Sequence, residues 1–145
     1  GTFAVVALSD GQMTMDVLVF AKAYENYKNM LKSDEMLIFT GKGRKDERSG
    51  GMSFVCDRVI TIEEMRVQKG ATLMIEIAEG QDLGAIRDVL LTGQDNDHPG
   101  VPCEILIHSN GVKAEVFLKN SYAPTDHLLN QLKNSESVVS VKYTY

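Results

Sequence analysis

The sequence predicts a mixed fold: a β-rich unit carrying one helix, followed by a smaller α+β unit. Three observations carry this. Two turn signals, Asp10-Gly11 and Asn110-Gly111, each separate a pair of apolar, strand-like runs. Elsewhere the apolar period switches from two to about 3.6 and back. A short charged stretch, residues 63–70, ends in Gly70 and divides the two halves.

In the first half, residues 2–8 and 13–19 alternate as strands about a two-residue Asp10-Gly11 turn. Phe20, Ala23, Tyr24, Tyr27 and Leu31 then share one helical face. Residues 35–43 read as a strand, 42–51 as a polar loop, and 52–62 as another strand. In the second half, residues 71–79 alternate as a strand and 81–93 form a helix with Gly93 at its stop. Strands over 101–109 and 112–120 meet at Asn110-Gly111. Pro124 and Thr125 open a helix over 124–135, and residues 137–145 close the chain as a strand. The order β-α-β-β-α-β predicts a split-βαβ domain over 71–145.

Composition narrows the classes. The chain has 145 residues, 43% hydrophobic and 24% charged, which suits one or two packed domains and excludes a disordered chain. No apolar run is long enough to span a bilayer, so no membrane partner is expected. The start reads as a strand without a basic leader, and the chain is expected to be a piece of something larger. Cys56 and Cys103 sit singly in strand-like runs and are expected as free, buried thiols in a reducing cytoplasm. The net charge is −5, which argues against a stand-alone nucleic-acid binder. That charge is uneven: −1 through Arg66 and −4 beyond.

Strand, hairpin, strand, helix, strand, loop, strand over residues 1–66 is the order of an OB-fold barrel entered after its first strand. The barrel is expected to be partial, with its first strand missing before Gly1 and an edge exposed in consequence. Leu8, Asp10, Gly11, Phe20, Tyr24, Leu31 and Gly41 resemble the OB domain of bacterial replicative DNA polymerase III alpha subunits. Pro124, Thr125, Asp126, Leu128, Leu129 and Leu132 resemble a near-terminal segment of the same family. The resemblance covers nearly the whole chain. It implies the C-terminal region of a nucleotidyltransferase whose polymerase site lies far upstream, so the present residues would be non-catalytic. It further implies a bacterial, cytoplasmic setting, single-stranded DNA template at the OB domain, and the clamp-loader tau subunit and other replisome subunits at the C-terminal domain.

Candidate residues follow from chemistry and position. Lys42, Arg44, Lys45 and Arg48 fall between the last two strands of the first unit, where an OB fold grips a strand; Asp46 and Glu47 weaken their field. Single-strand binding pairs such cations with aromatics that stack on bases, and Phe54 and Phe3 lie nearby. The competing reading is a solvated loop with both Phe side chains in the core. Tyr122, Tyr143, Tyr145 and Leu129 lie about the last helix and strand, where aromatic anchors and a strand edge suit a protein partner. The leucines there have the spacing of any packed helix. His98, His108 and His127 lack metal-ligand spacing, and "DNDH" at 95–98 lacks the alternation of a calcium loop, so neither metal nor cofactor is expected. Two other functions compete with DNA binding: a purely protein-interacting fragment, and an RNA- or tRNA-binding OB module. An enzyme with a metal at Asp95 and Asp97 is the least supported.

Overall fold

A computed structural model describes residues 2–45, 47, 48 and 50–145. It divides into two compact units, residues 1–62 and 63–145. Asp46, one of the predicted loop charges, lies outside the described residues.

Unit 1 begins with strands β1 (Ala4–Ser9) and β2 (Thr14–Val19), paired antiparallel from Ala4–Val19 to Ser9–Thr14. The turn between them spans four residues rather than the expected two. Asp10 explains the longer loop. Its carboxylate accepts the amides of Gln12 and Met13 at 2.9 and 2.8 Å, while Gly11 takes φ +89°. Those amide bonds hold the Asp10 carboxyl below its usual pKa. Helix α1 (Ala21–Leu31) follows, then β3 (Leu37–Lys45) and β4 (Met52–Thr61). The sheet order is β1-β2-β4-β3; β2 and β4 run parallel, and β3 and β4 antiparallel. Among the described residues it is a mixed, open sheet and not a closed barrel.

Val17, Val19, Cys56 and Val59 form the buried centre of unit 1, and Tyr24, Tyr27 and Leu31 of α1 pack against it. A register shift falls at Thr40/Gly41, and a Cβ on Gly41 would overlap the Val55 carbonyl oxygen. Only glycine lets the two backbones approach so closely there.

Unit 2 opens with helix α2 (Ile62–Gln68, whose first residue closes unit 1), in the stretch expected to be only a charged divider. Strand β5 (Thr72–Ile77), helix α3 (Gly84–Gly93), strands β6 (Cys103–Ser109) and β7 (Val112–Phe117), helix α4 (Asp126–Lys133) and strand β8 (Val138–Thr144) follow. From β5 onward the chain order is the predicted β-α-β-β-α-β. The sheet order is β7-β6-β5-β8, with β5 parallel to β6 and antiparallel to β8. The βαβ unit is therefore not split, because no strand lies between β5 and β6. The tight Asn110-Gly111 turn holds β7 on the far side of β6, and β7, exposed along its whole length, is fit only for an edge.

The core of unit 2 is larger. Leu73, Ile75 and Ile77 of β5 are at most 1% exposed and face Ile86, Leu128 and Leu132 of the helices. A Cβ on Gly93 would come within 2.7 Å of the Leu128 side chain, so the end of α3 lies directly against α4. Cys56 and Cys103 are free and buried; burial pushes the Cys103 thiol up to about 12. No described helix is long and apolar enough to cross a membrane.

Candidate nucleic-acid and partner interfaces

The predicted basic loop is shorter than its sequence suggests, because β3 continues through Lys45. Lys42, Arg44 and Lys45 thus stand on a strand. Arg44, Lys45 and Arg48 line one open cleft of about 660 Å³ with Leu18, Phe20, Glu47 and Ser53. Lys42, two residues earlier, does not border it.

Phe20 occupies the N-cap position of α1, at the end of β2, and is 46% exposed. Phe3 is 57% exposed, and its ring centroid lies 6.4 Å from that of Phe20 at an interplanar angle of 49°. An exposed aromatic pair therefore adjoins a cleft walled by three cations. Phe54 is placed differently: it packs against the buried centre of unit 1. Sequence reasoning put Phe20 on the inner face of the helix because its spacing fits that face. It stands instead one residue before Ala21, where the backbone is still extended at φ −75° and ψ 166°.

The four predicted partner-binding residues have different fates. Tyr122 is 2% exposed and bridges backbone to backbone with Val101, so it is a core residue. Leu129 packs against the same core. Tyr143 donates its hydroxyl to the Thr125 carbonyl at 3.2 Å, and its ring lies 4.4 Å beneath the Arg66 guanidinium carbon. Tyr145, at 69% exposure, is the most exposed of the four, and its side chain also reaches Arg66.

Arg66, one of the charges in the 63–70 stretch, is only 8% exposed. It donates to the Pro124 carbonyl and to Asp126 Oδ1, both at 2.7 Å. Burial alone would lower its pKa; the bond and charge of Asp126, with the Tyr143 hydroxyl, outweigh it and raise the pKa. Thr125 caps α4 by accepting the Leu128 amide at 3.1 Å. Arg66, Tyr143 and Thr125 thus clamp the start of α4 to α2 and to the final strand. Burial pushes the Tyr143 phenol up to about 12.

The acidic loop is occupied by its own turn. Asp95 accepts the amides of Asp97 and His98 at 3.0 Å and meets the His98 ring, which together hold its carboxyl below its usual pKa. Among the described residues no group of three or more His, Cys, Asp or Glu is arranged to hold a metal ion.

No protein-family model matches the chain. Among curated proteins it is similar to the DNA polymerase III subunit alpha of Neisseria meningitidis serogroup A, at 27% identity over 149 residues, covering 100% of this chain and 13% of that protein. The same subunit of Escherichia coli K12 is 24% identical over 132 residues, covering 89% and 11% respectively. That of Haemophilus influenzae is 24% identical over 144 residues, covering 96% and 12%. The alignments run through both units, and the chain is a homologue of bacterial DNA polymerase III alpha subunits, the counterpart of a segment that makes up 11 to 13% of their length.

Proposed function

We propose that the chain is a binding and tethering part of a bacterial replicative polymerase, with single-stranded DNA held by unit 1 and a protein partner held by unit 2. One observation carries the reading: Phe20 shares a cleft with Arg44, Lys45 and Arg48 and lies beside Phe3. Cations that follow phosphates and exposed rings that stack on bases are what sequence-independent single-strand binding needs.

On this reading unit 1 is an OB-type barrel lacking one strand. The free edges of β1 and β3 lie at opposite ends of the sheet order, yet Leu8 and Leu37 border one cavity with Met13 and Met15. The sheet therefore curls, and one added strand pairing with both edges would close it. The net charge of −5 is compatible with binding inside a larger assembly. There a tethered module works through effective concentration and needs little intrinsic affinity. As the family resemblance implies, the partner of unit 2 is the clamp-loader tau subunit. Tyr145, exposed at the end of the edge strand β8, is the residue available to anchor it.

The test is a fluorescence-anisotropy titration of labelled single-stranded DNA, duplex DNA and RNA at low and physiological salt. Preference for single-stranded DNA, weakened by salt and lost by about tenfold or more in Phe20→Ala and in the triple Arg44→Ala, Lys45→Ala, Arg48→Ala variant, supports the site. RNA preference would move the reading to an RNA-binding module. No binding at low salt would sink the DNA assignment. The tau assignment then stands or falls on whether purified tau binds the chain and Tyr145→Ala weakens it.

A further inference from the structure

Strand β7 is an exposed, unpaired edge whose sequence is complementary to itself. Each of its six residues is exposed, including Val112 at 66% and Phe117 at 70%. Among the described residues its only strand partner is β6. From these facts we propose that β7 pairs antiparallel with β7 of a second copy of this chain, about a two-fold axis through Ala114.

The register follows from the ladder. Asn110 and Gly111 both have positive φ, at 49° and 76°, and Ser109 pairs with Val112 across this two-residue turn. Hydrogen-bonded and non-bonded pairs alternate along an antiparallel ladder. Leu118 donates to Cys103 O at 3.0 Å, in phase with bonding of the even-numbered β7 residues to β6. The backbone groups of Lys113, Glu115 and Phe117 therefore point to the free edge. They are the groups a new strand must meet.

With the axis at Ala114, Lys113 faces Glu115 of the second copy, and Glu115 faces its Lys113, both as hydrogen-bonded pairs. On the other face Val112 lies across from Val116, and Ala114 from Ala114. Phe117 falls across from Gly111, where an aromatic ring covers backbone a glycine leaves bare. The smallest register slips that keep side-chain parity move the axis to Lys113 or Glu115. Either step sets like charges directly opposite each other, which is destabilising. Edge charges usually guard against pairing; here their spacing selects one pairing. The helix-side face gains as well. An apolar groove of about 470 Å³, bordered by Ile105, Ile107, Val116, Leu83 and Leu91, opens beside β7, and Val112 and Ala114 of the second copy would extend its floor.

The experiment uses the whole chain. Sedimentation between about 10 µM and about 1 mM, the range for so small an interface, should show a reversible dimer. Lys113→Glu or Glu115→Lys should each weaken it about tenfold or more, and the double swap should restore it, because opposite charges then face again. Ala114→Cys should form an intermolecular disulfide under mild oxidation, since residues on the axis form a close, non-bonded pair. Val112→Cys, two residues off the axis, should not. Cys56 and Cys103 are buried and do not compete. A monomer throughout, a dimer indifferent to the charge reversals, or equal cross-linking at 112 and 114 would each overturn the proposal.

Discussion

Among the described residues, the buried core cluster of unit 1 gathers four side chains and that of unit 2 thirteen. Apolar burial contributes roughly 25 cal/mol per Å², so the smaller core leaves unit 1 much closer to its unfolding threshold. Among the described residues of unit 1, Met15 and Met52 are exposed on a sheet with two unpaired edges, and Phe3 and Phe20 are exposed beside it. Unit 2 buries one sheet face under α3 and α4 and locks α4 in place through Arg66. Unit 1 thus leaves more apolar surface around a smaller core, and unit 2 is held by a larger core of its own. The expectation is two separate unfolding transitions, unit 1 first, visible by hydrogen exchange resolved along the chain.

The sharpest way to break this comparison is at Gly41. A Cβ there meets the Val55 backbone, which cannot yield without opening the β3–β4 ladder. Gly41→Ala should cost unit 1 about 3 kcal/mol and unfold it while unit 2 keeps its exchange protection. If both units lost protection together, their independence would be refuted.

Next in size is Arg66→Ala. It removes two charge-assisted hydrogen bonds and the cover over the Tyr143 ring. Asp126 is largely solvated and needs no partner, so the loss should be about 2 kcal/mol, below that of a fully buried ion pair. It should appear in the denaturation midpoint of unit 2 and leave the transition of unit 1 unmoved.

These two residues also show what the sequence could and could not reveal. Each strand, and each helix except α2, was visible as a period, because alternation and the 3.6 repeat arise from the chain's own geometry. The Asn110-Gly111 hairpin was legible for the same local reason. Pairing partners were not. Nothing local told that β5 lies beside β6, or that Tyr122 is buried while Tyr145 is not. Nothing local told that Arg66 is buried, because its partners, Pro124 and Asp126, lie about sixty residues away. Asp10-Gly11 looked like a two-residue turn because the side-chain bonds that lengthen it need three-dimensional aim. At the candidate DNA site, the cations could be read from their clustering. Phe20 could not, because it sits where strand period gives way to helix period and the helix spacing places it inside.

Tyr143→Phe probes the clamp more gently. The ring stays under Arg66, and one hydrogen bond to Thr125 is lost, for about 1 kcal/mol at neutral pH. The pH dependence is the better test. The unfolded phenol titrates near 10 and the folded one near 12. As pH rises through that interval the unfolded chain loses its proton first, so wild-type unit 2 should lose stability between pH 10 and about 12. The Phe variant should lack that part of the slope in an alkaline denaturation series.

The smallest effect belongs to the open face of the unit 2 sheet, where Glu76 accepts from His108 at 2.7 Å and from Ser140 at 3.2 Å. The His108 bond is the main reason its carboxyl lies below 4.5. A carboxyl depressed in the folded state contributes stability that is complete above the unfolded value and is lost as pH falls through the folded one. Unit 2 should therefore weaken slightly below about pH 4.5, and Glu76→Gln should flatten that limb without changing the alkaline one. The site is solvated, so the change should be barely larger than the scatter of a denaturation midpoint. A large acid-side effect would mean that this face is covered in solution.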